Sequence, residues 1–219
     1  MITASKQEWT YSVLRGRIAN GTYAEGHRLV IDTIARELEV SPMPVREAIR
    51  RLEAEGWVHY ERNHGASVRP LDDDTWAEGM TAVAVLDGYV TGIAAPHLTA
   101  ADFDGLREAN ERMRAALDEL DPQRVSEANL DLHRAIQDRC PNSYLRLHLR
   151  SMQERLNTLR GRIFMVIPDR GSVSIDEHET LIELMESGAP AAQVEAFARE
   201  HTLRTVAFYL ERRAAAESA

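Results

Sequence analysis

Three histidines lie on the apolar faces of predicted helices, where they could serve as ligands of a metal ion. His133 shares a helical face with Asn129, four residues earlier, and with apolar neighbours. His178 and His201 fall on two further apolar stripes, formed by Ile175, Ile182 and Met185 and by Val194, Phe197, Thr205 and Phe208. Neutral imidazole is a common ligand of divalent transition metals, so three inward histidines could converge on one ion. The alternative, which spacing leaves open, is that each is a core histidine whose hydrogen bonds are satisfied locally.

A second set of candidate residues consists of arginines on a predicted helix near residue 46. Arg46 and Arg50 are four apart and point away from the apolar positions 45, 49 and 52. An arginine on the outer face of a recognition helix can donate two hydrogen bonds to guanine, which is the commonest specific base contact. The alternative is a solvated surface on which these arginines pair with nearby glutamates, at Glu47, Glu53 and Glu55.

Composition restricts the classes to which the chain can belong. Its 219 residues include 26 Lys+Arg and 35 Asp+Glu, and the net charge is -9. Residues 1–70 contain ten basic and nine acidic side chains, so all of the negative excess lies in residues 71–219. The single cysteine, Cys140, excludes an intramolecular disulfide framework and a CxxC zinc site. Because no signal peptide and no apolar run of about 20 residues is visible, we expect a soluble cytoplasmic protein without a membrane partner.

The apolar spacing within residues 1–70 predicts a helix-turn-helix followed by a β-hairpin wing. A first helix ends near Gly21. Asp32 is placed to cap a short helix over 33–39, and Ser41 to cap a third helix that begins at Pro42. Segments 57–60 and 66–68 are predicted strands joined by a turn. Two short helices with a tight turn between them are typical of DNA-binding domains.

Residues 71–219 are predicted to form a second domain, an antiparallel bundle of six or seven helices. The boundary lies at the acidic run 72–74, and the tail 212–219 is expected to fray. Breaks fall at Pro96 and within residues 121–122, 140–142, 168–171 and 188–190. Ser174 and Glu177, three apart, predict a capping box that opens the fifth helix of this domain. The predicted fold class is therefore mainly α.

Residues 40–56, together with wing residues 63–65, resemble the winged helix-turn-helix of GntR-type bacterial transcription regulators. The similarity covers about residues 10–70. It implies DNA contacts from the recognition helix and the wing, at Ser41, Met43, Arg46, Arg50, His64 and Gly65. Within this set the resemblance gives Ser41 a contact to phosphate, Arg46 the reading of bases and Gly65 an approach to the minor groove. Pro42 departs from the family, because many members have arginine there, so the base preference need not match theirs.

Residues 75–212 are similar, more loosely, to the helical ligand-binding FCD domain of FadR-type GntR regulators. The similarity rests on residues 129–136, 177–179 and 200–201. It implies a divalent transition metal, zinc or nickel, with ligands from Asn129, His133, His178 and His201. Aspartate is commoner than asparagine at the first of these positions, which implies a weaker site here. Many members also have an arginine where this chain has Val83, so Arg160 or Arg162 is the expected anchor of a carboxylate effector.

These features together predict a homodimeric transcription regulator that is not an enzyme. A two-fold protein places one recognition helix on each half-site, so the expected partner is a pseudo-palindromic double-stranded DNA operator. The expected effector is a small organic acid that acts by binding two arrangements of the protein with different affinity. Two alternatives remain open at this stage. One is a regulator for which the metal itself is the signal, and the other is a metal-dependent hydrolase, although no general base and no HExxH motif is evident.

Overall fold

The computed structural model describes the backbone of residues 5–61, 65–70, 72–166 and 168–217. It describes the side chains of the same residues except those at 157–163, 165, 166, 168 and 217. The chain divides into two compact units, Met1–Asp72 and Asp73–Ala219. The first contains helices and a small sheet and the second is helical, which confirms the predicted fold class.

Three helices frame the first unit: α1 (Lys6–Ala19), α2 (Ile31–Glu37) and α3 (Pro42–Ala54). The N-cap of α1 is Ser5, whose side-chain oxygen accepts a hydrogen bond from the backbone N–H of Glu8. α1 packs on α3, and the inward residues Leu14, Val45 and Leu52 are completely buried. Each buried side chain of this size stabilises the unit by about 1.5–3 kcal/mol, so this apolar face fixes how α3 presents its outer side.

The cap predicted for α2 is wrong. The helix begins two residues earlier, after Val30, and Asp32 lies in its first turn. Ile31 packs against the core, which draws that residue into the helix, and an acidic residue in the first turn is favoured by the helix dipole. Ser41 and Pro42 do occupy the N-cap and the first position of α3 as predicted. The exposed Ser41 side chain makes no capping hydrogen bond.

The predicted hairpin is present as β2 (Val58–Glu61) and β3 (Gly65–Val68), with Tyr60 opposite Ala66. A third strand, β1 (Arg28–Leu29), was not predicted because two residues are too few to show an alternating pattern. It pairs antiparallel with β3, which gives a sheet of order β1-β3-β2. Gly65 opens β3 with a φ of 84°, a conformation that glycine adopts without strain.

In the second unit, the described residues form six α-helices: α4 (Asp73–Ala94), α5 (Ala100–Asp118), α6 (Pro122–Asp138), α7 (Ser143–Val166), α8 (Pro168–Glu186) and α9 (Ala191–Glu217). A 3₁₀ turn, Ala95–His97, follows α4 at the predicted break near Pro96. A reciprocal pair of hydrogen bonds between Thr99 and Asp102 caps α5, and Asp121 caps α6 ahead of Pro122. α4 packs on α7 and α9, and α5 packs on α6 and α8, so these helices enclose a common interior.

Two predictions about the start of α8 are wrong. Ser174 and Glu177 do not open a helix, because α8 begins at Pro168 and both side chains are buried within it. Gly171, which suggested a break, lies inside α8. Its lack of a side chain leaves room for Leu117, because an added Cβ would come within 2.9 Å of Leu117 Cδ1. The tail expected to fray is helical as far as Glu217, and Arg213 Nη1 donates a hydrogen bond to Asp74 Oδ1 at 2.8 Å.

Candidate metal centre and DNA-binding surface

The three predicted histidines converge inside the helical unit. His133 comes from α6, His178 from α8 and His201 from α9, and their side chains are at most 5% exposed. The ring centroids are separated by 4.9–5.4 Å. One nitrogen from each ring can be chosen so that all three lie within 4.8 Å of one another. Metal–nitrogen bonds of about 2 Å separate neighbouring ligands by about 3–4 Å, so small movements of the rings would bring the three nitrogens around a single ion.

Contacts at Nδ1 orient two of the rings. Asn110 donates through Nδ2 to the Ile175 carbonyl at 3.0 Å, so its Oδ1 must accept from His178 Nδ1, also at 3.0 Å. His133 Nδ1 lies 3.5 Å from Asp87 Oδ2, and His133 Nε2 is buried without a hydrogen-bond partner among the described residues. A histidine that donates from Nδ1 keeps its lone pair on Nε2, which is the arrangement usual in metal-binding histidines. The geometry therefore directs Nε2 towards the centre.

Glu177 orients the third ring. Its Oε2 lies 2.6 Å from His201 Nδ1, and it also accepts hydrogen bonds from Arg170 and Arg204, at 2.6 and 2.8 Å. Burial raises the pKa of this carboxyl, but the hydrogen bonds from His201, Arg204 and Arg170 outweigh burial and lower it to about 2. Burial is also the largest influence on His201 and lowers its pKa to about 4. At neutral pH Glu177 is therefore ionised and His201 is neutral, the state in which imidazole binds metals.

Asn129 is the fourth predicted ligand, one turn before His133 on α6. It is 2% exposed, and its Nδ2 is buried with no hydrogen-bond partner in the part of the chain that the structure describes. A half-turn of the amide would exchange the nitrogen and the oxygen, so this position can present a neutral oxygen ligand. Asn129 and His201 also line one cavity, whose other walls are Met80, Phe164, Ser174, Thr202 and Thr205.

The first unit exposes most of the predicted DNA contacts on one side of α3. Ser41 and Arg46 are exposed, and the side chain of Met43 is 59% exposed. Within the part of the chain that the structure describes, Arg46 has no ion-pair partner. Arg50 Nη1 lies 3.2 Å from Glu47 Oε1, so the alternative of a solvated ion pair holds for Arg50 in this structure.

Comparison with known proteins matches the two units separately. Residues 6–68 match the bacterial regulatory proteins of the gntR family, and residues 78–204 match the FCD domain. The chain belongs to the GntR family, with an FCD domain. This GntR regulator is a transcription regulator and not an enzyme, which confirms the resemblance found in the sequence. No curated protein sequence matches it significantly.

Solved structures agree with this assignment at the level of the fold. E. coli McbR/YncC superposes with a TM-score of 0.72 at 19% identity, covering 95% of this chain and 97% of that one. A GntR transcriptional regulator from Rhodococcus sp. RHA1 gives a TM-score of 0.67, also at 19% identity, with 95% and 99% covered. The GntR regulator thus shares its two-unit architecture with these proteins over nearly its whole length.

Three predicted residues of the GntR regulator lie at positions whose side chains are not described. His64 is outside the described residues. Arg160 and Arg162 lie on the backbone of α7, but their side chains are outside the described part of the chain. Within the helical unit the structure brings the predicted histidines and Asn129 close together. Within the first unit it exposes the predicted residues of α3. None of the helices described is both long enough and apolar enough to span a membrane.

Sequence reasoning missed the groups that orient the histidines of the GntR regulator. Asn110 occupies a position in the apolar stripe of α5. A polar residue at such a position was the one sign in the sequence that it contacts another buried polar group. Asp87 is 2% exposed in the similarly apolar α4.

Near the wing of the first unit, Arg28 was also missed. It is exposed on β1, and its Nε lies 3.9 Å from the position that a Cβ would take at Gly65.

Proposed function

We propose that this GntR regulator binds a small organic acid beside a divalent metal ion in its FCD domain, and that the acid sets its affinity for operator DNA. The observation that carries this proposal is the buried convergence of His133, His178 and His201. Each histidine belongs to a different helix. A ligand at this point therefore contacts three elements, and its binding favours whichever arrangement of them holds it best.

The residues fit a divalent transition metal. A buried ring nitrogen without a hydrogen-bond partner, such as His133 Nε2, is costly unless it binds something, and the neutral His201 needs no proton removed. Zinc and nickel both accept imidazole ligands. The ion would supply free coordination positions for carboxylate oxygens. Asn129 would complete the set of protein ligands, and as a neutral amide it leaves the ion more positive than aspartate would.

We further propose that α3 enters the major groove of a pseudo-palindromic operator and that a homodimer reads its two halves. Arg46 is the principal base reader, because it is exposed and has no ion-pair partner among the described residues. Arg50 contributes after leaving Glu47, which costs little because exposed ion pairs are worth at most about 1 kcal/mol. Ser41, Met43, His64 and Gly65 are the remaining proposed contacts, to phosphates and the groove walls.

Fluorescence anisotropy with labelled DNA from beside the chain's own gene tests the DNA part of the proposal. Arg46→Ala should weaken specific binding about fivefold or more, since a good bidentate base contact is worth about 1–3 kcal/mol. Arg112→Ala removes the same charge from an exposed ion pair in the helical unit and serves as the control. Binding that is unchanged by Arg46→Ala, or no tighter than binding to random DNA, would contradict the proposal.

The main alternative is that the metal itself is the signal. The three buried histidines supply three ligands by themselves, so they could hold a metal without any acid. Anisotropy with metal-free protein, with zinc or nickel alone, and with each metal plus a panel of organic acids separates the two. A change in DNA affinity on adding metal alone, with no further change on adding any acid, would favour the metal-responsive regulator.

A further inference from the structure

The first turn of α3 exposes an apolar side chain at the end of the helix where recognition helices meet DNA. Met43 is the second residue of α3, and its side chain is 59% exposed. It is the most exposed of the large apolar side chains among the described residues of the first unit. Pro42 beside it is exposed as well, whereas Pro44 is buried. Because the first residues of a recognition helix contact base edges, Met43 is placed where sequence is read.

This turn has few groups that can donate a hydrogen bond to a base. Proline carries no backbone N–H, so Pro42 and Pro44 remove two of the donors that a helix N-terminus usually offers. The Met43 side chain has no donor, and its thioether sulfur is only a weak acceptor. The hydroxyl of Ser41, which makes no capping hydrogen bond, is suited to a phosphate. The Met43 side chain can therefore recognise a base only through an apolar contact.

Thymine is the base that offers an apolar group in the major groove. Adenine, guanine and cytosine present hydrogen-bonding groups there, whereas thymine carries a C5-methyl group beside its O4. The methionine side chain is unbranched and polarisable, so it can cover that methyl in more than one rotamer. Burying a single methyl or methylene group is worth about fourfold in affinity. An exposed methionine on this helix thus favours a thymine over the other bases.

Met43 lies on the same side of α3 as the exposed arginines. It precedes Arg46 by three residues and Arg50 by seven, so the three side chains follow one another along the helix. A rise of about 1.5 Å per residue places Met43 about 4.5 Å from Arg46 along the helix axis. Base pairs are stacked about 3.4 Å apart, so this distance corresponds to about one or two base pairs.

We propose that Met43 is a specificity-determining residue that contacts the C5-methyl group of a thymine in each half of the operator. The thymine lies within about two base pairs of the base read by Arg46. This inference deepens the proposed function and rests on it, because it requires α3 in the major groove. The two side chains have different roles: Arg46 selects a base by its hydrogen-bonding edge, and Met43 selects a neighbouring base by its methyl group.

Replacing thymine by deoxyuridine tests this role, because the replacement removes the methyl group and nothing else. An operator is first selected from a random-sequence DNA pool with the full-length protein, metal-free and zinc-loaded. Each thymine is then replaced at symmetric positions of the two half-sites, and affinity is measured by fluorescence anisotropy. At the thymine contacted by Met43 the replacement should weaken binding tenfold or more, since each half-site loses about fourfold. Thymines outside the protein contact should change affinity less than twofold.

Matched variants assign the effect to Met43. Met43→Leu keeps an apolar side chain and should still prefer thymine to deoxyuridine at that position by fivefold or more. Met43→Gln has a similar length and helix propensity but a polar end, so its preference should fall below twofold. Arg46→Ala removes a different contact, so it should weaken binding to both DNAs and keep the preference within threefold of the wild-type value.

The outcomes separate this inference from the proposed function. A wild type that binds the operator specifically but loses no affinity at any deoxyuridine overturns the role of Met43, as does a loss that persists in Met43→Gln. In both cases a weakening by Arg46→Ala would leave the proposed function standing. If the wild type binds no selected DNA more tightly than random DNA, both the inference and the DNA part of the proposed function fail.

Discussion

Gly88 on α4 lies against the main chain of α9, and Gly88→Ala is expected to destabilise the helical unit. A Cβ at this position would meet the Glu195 carbonyl oxygen at 2.8 Å and Arg199 Cβ at 2.9 Å. Neither neighbour is the flexible end of a side chain, so α4 and α9 would have to separate. Overpacking of this kind costs about 1–3 kcal/mol, and here the upper end applies because main-chain atoms must move.

The gain in helix propensity offsets part of this loss of stability. Replacing glycine by alanine in a helix interior stabilises by about 1 kcal/mol, which leaves a net loss of about 2 kcal/mol for Gly88→Ala. For a protein of this size the melting temperature should fall by about 4–8 °C. The metal affinity should fall as well, since Asp87 precedes Gly88 on α4 and His201 lies on α9. Thermal denaturation followed by circular dichroism, together with zinc titration, measures both effects.

Gly105→Ala on α5 is the matched control. Beyond the helix's own backbone, an added Cβ there has no atom of the described residues within 4 Å, so the substitution should raise the melting temperature through helix propensity alone. The two variants make the same chemical change and should shift stability in opposite directions. If Gly88→Ala were as stable as the wild type, or if both variants shifted the same way, the inferred close contact between α4 and α9 would be refuted.

Three further predictions concern the metal centre and the cap of α5. Asn129→Asp should raise zinc affinity about tenfold by adding a charged oxygen ligand, as a chelator competition would show; a loss of affinity would mean that this residue is no ligand. His178→Ala should abolish the rise in melting temperature on adding zinc, whereas exposed His148→Ala should retain it. Asp102→Asn should lower stability by about 1 kcal/mol at neutral pH. Hydrogen bonds from Arg139 and then Thr99 lower the pKa of Asp102 from 3.8 to about 2. The ionised carboxylate therefore contributes fully to the free energy of unfolding above about pH 4, and this contribution is lost as the pH falls towards 2. The difference in the free energy of unfolding between wild type and variant, measured by urea unfolding, should disappear over that range.

Apolar periodicity predicted the helices and placed the three histidines on their inward faces, and the resemblance to FadR-type regulators implied that these histidines converge. The sequence could not predict which groups orient the rings. Asn110 contacts His178 across 68 residues, and Asp87 contacts His133 from a helix two elements earlier. Such pairs depend on how the helices pack, which periodicity within one helix does not record.

Two errors share a physical cause, which is that local turn and cap signals were overridden by packing. Ser174 and Glu177 have the spacing of a capping box, yet both are buried inside α8, where Glu177 serves His201 and two arginines. Gly171 has the appearance of a helix break, yet it allows α8 to approach Leu117. Arg170 was overlooked for the same reason, since it lies within a segment taken to be a loop.

The most direct test of the proposed function is the affinity for an operator, selected from a random-sequence DNA pool, measured by anisotropy under three conditions: metal-free, zinc-loaded, and zinc-loaded with a small organic acid that binds the protein. We predict that the acid changes operator affinity at least fivefold in the zinc-loaded wild type, and that it has no effect in the metal-free protein or in His133→Ala. Equal operator affinity under all three conditions would contradict it, as would a response to acid that persists without His133.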